Sequence, residues 1–289
     1  MVAAHPPSIG SDLLEPTTRD FYLRALDTLD RSGIPYLLGG TYSLTHFAGI
    51  ARPSKDLDVF VRKTDAGRTL DLYHSAGYRT ELTFPHWLGK AYAAQNSDDF
   101  VDIIFCSGNG LCPVDDSWFD HAADGEAFGR KIKLAAPEEM IWTKSFIQER
   151  ERFDGADVMH LLLSCGETLD WARLLKRFDG GHEPVLLGHL LMFRYVYPSE
   201  AGLIPQEVME QLWQKTGGVA PPKLNGSDRV SVAHDPDAGR KLCRGTFLSR
   251  AQYLSDIGTN GFADARIQPH GPLRPEDVVH WTHAIKTVK

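Results

Sequence analysis

A chain of 289 residues with 42% hydrophobic and 24% charged side chains has an ordinary globular composition and room for about two domains. Acidic residues outnumber basic ones, 38 to 31, for a net charge of −7. That balance argues against a protein built chiefly to neutralise nucleic-acid phosphate. No apolar run is long enough to span a membrane, and the N-terminal MVAAHPPSIGSDLLEPTTRD lacks the basic-then-apolar build of a signal peptide. Cys106, Cys112, Cys165 and Cys243 show no C-x-x-C spacing, so a reducing, cytoplasmic setting is expected.

Taken in chain order, the first fifteen residues, rich in Pro and Ser, read as a loose arm. DFYLRALDTLDRSG (20–33) has apolar residues at helical spacing and closes on a glycine. IPYLL (34–38) is a short buried strand, and TYSLTHFAG (41–49), after Gly39-Gly40, a short helix. DLDVFV (56–61) is a second strand and DAGRTLDLYHSAG (65–77) a second helix. YRTELTF (78–84) alternates as a strand does. KAYAAQ (90–95) and FVDIIF (100–105) flank the turn-like NSDD and predict a hairpin. The mixture predicts an α/β (α+β) domain with a mixed sheet over residues 1–135.

After LAAPEEM the pattern becomes helical. PEEMIWTKSFIQERERF (137–153) opens with Pro and two acids, as helices do. DVMHLLLSC (157–165), LDWARLLKRF (169–178) and EPVLLGHLLMFRYVY (183–197) follow with the same periodicity. Residues 136–289 are thus expected to form a helical domain with a C-terminal extension. Within that extension, 217–239 reads as a turn-rich loop, and 243–266 as ordered but without an interpretable motif. The basic clusters GRKIKL (129–134) and RLLKR (173–177) read as solvated faces.

The chemistry lies between residues 36 and 61. Residues two apart on a strand face the same side, about 6.5–7 Å from each other. Asp56 and Asp58 therefore present two carboxylates together, and a divalent cation such as Mg²⁺ or Mn²⁺ is their natural neutraliser. Gly39, Gly40 and Thr41 open a helix, where glycines permit close approach and free N–H groups attract an anion. Thr41 and Ser43 add hydroxyl donors. Asp102, a lone acid in an apolar strand, is the third carboxylate, unless it faces solvent on an edge strand. Asp98 and Asp99 sit in a turn, where acids need no special cause. His46, His86, Trp87 and Trp118 read better as packing residues than as ligands.

The stretch LLGGTYSLTHFAGIARPSKDLDVFV…VDIIF resembles the nucleotidyltransferases related to DNA polymerase beta, which carry Gly-Gly or Gly-Ser, then D-x-D, then a third acid. It is most similar to the stand-alone bacterial branch that includes abortive-infection toxin nucleotidyltransferases. The resemblance covers residues 34–105 and extends weakly to KSFIQERERFDGADVMHLL (144–162). It implies that Asp56, Asp58 and Asp102 bind metal and carry catalysis, and that Gly39, Gly40 and Thr41 hold a nucleoside triphosphate. It further implies that Lys144 reaches the phosphates, and it matches Arg52 and Ser54 to the Arg-x-Ser/Thr-x-Asp form of the branch. Phe153 stands where that branch has a basic residue. Asp154-Gly155 can equally be a turn, and Asp157 a helix cap or a partner of Lys144.

The expected activity is transfer of a nucleoside monophosphate from a triphosphate to an acceptor hydroxyl, with release of pyrophosphate. The acceptor can be a small molecule, a protein or RNA, and the resemblance adds an antitoxin-like protein as a possible partner. Two alternatives stay open: a D-x-D glycosyltransferase using a nucleotide sugar, and a non-catalytic module that keeps the fold.

Overall fold

The structure is a computed structural model that describes residues 14–50, 56–93, 98–217, 242–243, 257–258 and 261–279. Its first helix, α1 (Pro16–Ser32), starts at a proline and stops at Gly33, whose φ of 71° is left-handed. Phe21, Tyr22, Ala25, Leu26 and Leu29 form its buried stripe, the period of a helix lying on a core. The two-residue strand β1 (Leu37–Leu38) leads into α2 (Gly40–Ala48), which also closes on a left-handed glycine, Gly49. Then come β2 (Asp56–Phe60), α3 (Lys63–Ser75), β3 (Arg79–Phe84), β4 (Leu88–Tyr92) and β5 (Phe100–Ile104). A short helix, α4 (Asp116–Asp120), precedes β6 (Ala123–Ala127) and β7 (Arg130–Leu134).

These seven strands form one mixed sheet in the order β3-β4-β5-β2-β1-β7-β6. β2 runs parallel to β5 and antiparallel to β1, while β1 pairs in parallel with β7. β4 and β5 are antiparallel, as the hairpin reading required. Leu57, Val59, Val101 and Ile103 are fully buried and share one cluster with Phe21, Tyr22 and Leu26 of α1. Burial of such side chains is worth about 1.5–3 kcal/mol each. It fixes the register, because a one-residue slip would turn the two aspartates of β2 inward.

The β6–β7 hairpin is not anticipated by its sequence. Its turn, Phe128-Gly129, has positive φ at both positions, 57° and 73°. Two-residue hairpin turns of that kind usually carry Asn-Gly or Asp-Gly. Here the Phe128 ring packs against Tyr42 and Tyr22, and tertiary contact replaces turn propensity. The basic cluster of β7 is paired: Arg130 bridges Asp27 at 2.8 Å and also Asp30, and Lys133 meets Asp124 at 2.8 Å.

By contacts, residues up to Met140 and from Ala265 onward form one unit, and Ile141 to Asp264 a second. In the first, Leu273 packs so closely on Gly110 that a Cβ there would meet its side chain at 2.5 Å. Helix α5 (Pro137–Ser145) ends eight residues before the sequence pattern suggested. The chain turns back instead, with Gln148 bridging Phe153 and the Asp154 amide donating to the Ile147 carbonyl at 2.9 Å. The second unit continues with α6 (Gly155–Cys165), α7 (Trp171–Arg177), α8 (Glu183–Val196) and α9 (Gln206–Lys215). α9, outside the expected helices, buries Val208, Met209 and Leu212 and packs on α8. Among the described residues no helix is long and apolar enough to cross a membrane.

The loop expected at 217–239 lies, apart from Gly217, outside the described residues, as does most of 243–266. Cys106, Cys112 and Cys165 are buried thiols.

Candidate active site

β2 alternates as the spacing predicted: Leu57 and Val59 go into the core, and Asp56 and Asp58 take the other face, partly exposed. In the parallel register with β5, Asp58 lies opposite Asp102, Leu57 opposite Val101 and Val59 opposite Ile103. Asp102 therefore shares the face of the aspartate pair and is 8% exposed. One carboxylate oxygen from each of Asp56, Asp58 and Asp102 lies within 4.8 Å of the others. Three hard anionic oxygens at this separation are a set that could hold a divalent metal ion.

The Gly-Gly turn is built around the same carboxylates. The Gly39 amide donates to the Asp58 carbonyl at 3.1 Å. Gly40, the first residue of α2, has φ 54°, and a Cβ on it would fall 1.7 Å from Asp58 Oδ2. A Cβ on Gly39 would run into the Phe60 ring at 2.1 Å. The helix start is thereby brought directly against the aspartate pair. The Thr41 hydroxyl beside it is buried with no hydrogen-bond partner, which suits a donor awaiting a ligand oxygen. Ser43 differs: it is fully buried and donates to the Leu38 carbonyl at 3.0 Å, holding the end of β1. Arg52 and Ser54 lie outside the described residues.

Two residues at the site carry no recognisable motif. Lys90 is the β4 partner of Asp102 in the antiparallel register, and its Nζ donates to Asp102 Oδ1 at 2.7 Å. Its ammonium also lies 3.6 Å from the centroid of the Phe100 ring. The signal was available, since pairing KAYAAQ with FVDIIF across NSDD aligns lysine with aspartate. Tyr22 of α1 is the other: its hydroxyl is buried and without a partner. Burial, reinforced by the charges of Asp56, Asp99, Asp58 and Asp102, pushes its phenol well above the ordinary range, so it stays a neutral hydroxyl.

Lys144 is in the second unit, where Nζ meets Asp154 at 2.9 Å and Asp157 at 2.7 Å. Asp157 lies inside α6 rather than capping it, and so is the partner of Lys144. Arg152 holds Asp154 with two further hydrogen bonds of 3.0 Å. Burial would raise the Asp154 carboxyl, but the Arg152 hydrogen bonds and the Lys144 charge outweigh it and hold the group below its usual range. Phe153 is half-exposed and leans on Gly155.

The residues read as packing groups behave so. Trp118 is fully buried and stacks on Phe60, Trp87 stacks on Phe84, and His86 Nε2 lies 3.0 Å from the Gly108 carbonyl. Burial lowers the imidazole pKa of His46.

No family model matches the chain, and no curated protein does. The chain is similar in part to several solved structures, among them two antibiotic-modifying nucleotidyltransferases and a nucleotidyltransferase-like protein. The lincosamide antibiotic adenylyltransferase LnuA, in its lincomycin-bound form, is 16% identical, with a TM-score of 0.37 over 53% of this chain and 97% of its own. ANT(2")-Ia, in complex with adenylyl-2"-tobramycin, is 19% identical, with a TM-score of 0.39 over 63% and 99%. An antigenic nucleotidyltransferase-like protein from Paracoccidioides brasiliensis is 15% identical, with a TM-score of 0.39 over 68% and 95%.

Proposed function

We propose that the protein is a divalent-cation-dependent nucleotidyltransferase, moving a nucleoside monophosphate from a triphosphate to an acceptor hydroxyl. One observation carries this reading: three carboxylates converge within 4.8 Å against a helix start that only a glycine can bring so close. A folding requirement explains a turn glycine or a strand aspartate singly. It does not explain three like charges gathered beside a helix N-terminus.

A bound Mg²⁺ or Mn²⁺ would neutralise phosphate oxygens and polarise the reacting phosphorus. Asp56 and Asp58 would hold it. Asp102 would accept the proton of the acceptor hydroxyl as that oxygen bonds to the α-phosphorus and pyrophosphate leaves. The α2 N-terminus, through the backbone at Gly40 and the Thr41 hydroxyl, would anchor the phosphate chain. Lys144, Arg52 and Ser54 enter this reading through the family resemblance alone. Ser43 would support the turn through its bond to Leu38.

The test is incubation of the protein with each radiolabelled nucleoside triphosphate, Mg²⁺ and total cell extract, followed by fractionation into small molecules, protein and RNA. Transfer of label with release of pyrophosphate is expected, and the labelled fraction identifies the acceptor class. Transfer from a labelled nucleotide sugar instead would replace this reading with the glycosyltransferase one.

A further inference from the structure

Lys90 does more at this site than balance a buried acid. Its ammonium is fastened at two points, 2.7 Å from Asp102 Oδ1 and 3.6 Å from the Phe100 ring centroid, with the side chain only 17% exposed. The antiparallel register of β4 and β5 places it there, so its position is a property of the sheet. The carboxylate it holds is the same one that lies within 4.8 Å of Asp56 and Asp58. A second divalent ion shared with Asp102 would have to lie beside the enclosed ammonium and be repelled by it.

We propose that Lys90 takes the place of a second metal ion: the nucleotide-free protein holds one divalent cation, on Asp56 and Asp58, while the ammonium orients Asp102. The inference rests on the nucleotidyltransferase reading of the site. It makes Lys90 a positioning residue acting through Asp102.

Titration of the nucleotide-free protein with Mn²⁺, read by electron paramagnetic resonance of the free ion, tests it without any turnover. Wild type should bind one Mn²⁺ per chain. Lys90→Met, which keeps most of the length of the side chain and removes the charge, should bind two, and Lys90→Arg should return to one. A merely structural lysine would leave the stoichiometry at one in all three proteins, and that result overturns the proposal. Two ions in wild type also overturn it while leaving the metal site intact. Absence of Mn²⁺ binding in wild type, with or without a non-hydrolysable triphosphate, overturns both the proposal and the reading beneath it. Should Lys90→Met fail to fold, Lys90→Gln replaces it, and a count of one in Lys90→Gln overturns the proposal.

Discussion

Gly40 and Asp58 cannot both keep their places if either gains an atom toward the other: a Cβ on Gly40 would lie 1.7 Å from Asp58 Oδ2. Gly40 also has a φ of 54°, a conformation that costs an L-residue about 1–2 kcal/mol. Gly40→Ala should therefore lose about 1–3 kcal/mol of stability. Nucleotide transfer should fall at least ~100-fold, because the carboxylate is displaced by about an ångström or more. Gly33→Ala is the control. It has a similar φ of 71° with nothing within 4 Å, so it should lose stability alone. Urea melts beside label-transfer rates separate the two variants, and equal activity in both would detach the glycine from the chemistry.

Asp58→Asn keeps the shape of the side chain and removes its charge. Folding should be unharmed or slightly improved, since like charges on one strand face repel, while transfer should be abolished. Wild type should melt higher with Mg²⁺ and triphosphate together, because ligands that bind only the native state raise the melting temperature. Equal ligand-induced shifts in wild type and Asp58→Asn would remove Asp58 from the site.

Lys144→Met removes the cation between Asp154 and Asp157, whose side chains are 11% and 5% exposed. Breaking a buried pair by removing one partner typically costs about 3–5 kcal/mol. A loss of that size is expected, partly recovered in Lys144→Met/Asp157→Asn, where one stranded charge is also gone. A variant that melts like wild type but needs more triphosphate for half-maximal rate would instead make Lys144 chiefly a phosphate ligand.

His189 is fully buried, and burial lowers its pKa against the raising effect of its hydrogen bond to the Ser145 carbonyl. The unfolded chain, with an imidazole pKa of about 6.5, takes up the proton first. The favourable term is thus complete above pH ~6.5 and is lost as pH falls from there toward the folded pKa. His86 is lowered by burial as well and acts in the same direction. Denaturation midpoints at pH 7.5 and 5.5 should drop more steeply in wild type than in His189→Asn. Parallel slopes would show that His189 carries no such linkage.

Much of the first unit is written locally. The closing glycines Gly33, Gly49 and Gly77, the period-2 alternation of β2 and the apolar run around Asp102 each name an element without reference to the rest of the chain. Where local signals were weak or misleading, tertiary contacts decided. The hairpin turn at Phe128-Gly129 stands on aromatic packing. Helix α5 stops at Ser145, and beyond it the chain turns back where Lys144 meets Asp154 and Asp157.

The same division runs through the site. D-x-D places two carboxylates on one face because strand geometry is local, and Gly-Gly-Thr marks a helix start because glycine's freedom is local. Sequence alone thus determined the aspartate pair and the turn beside it. Only the sheet decided the rest: that β2 pairs in parallel with β5 so Asp102 joins the pair, and that β4 brings Lys90 onto Asp102. It also decided that Ser43 bonds to Leu38 while Thr41 keeps a buried, unpartnered hydroxyl. Register and burial depend on which strands become neighbours, and neighbours distant in the chain are selected by the apolar faces that must be buried together.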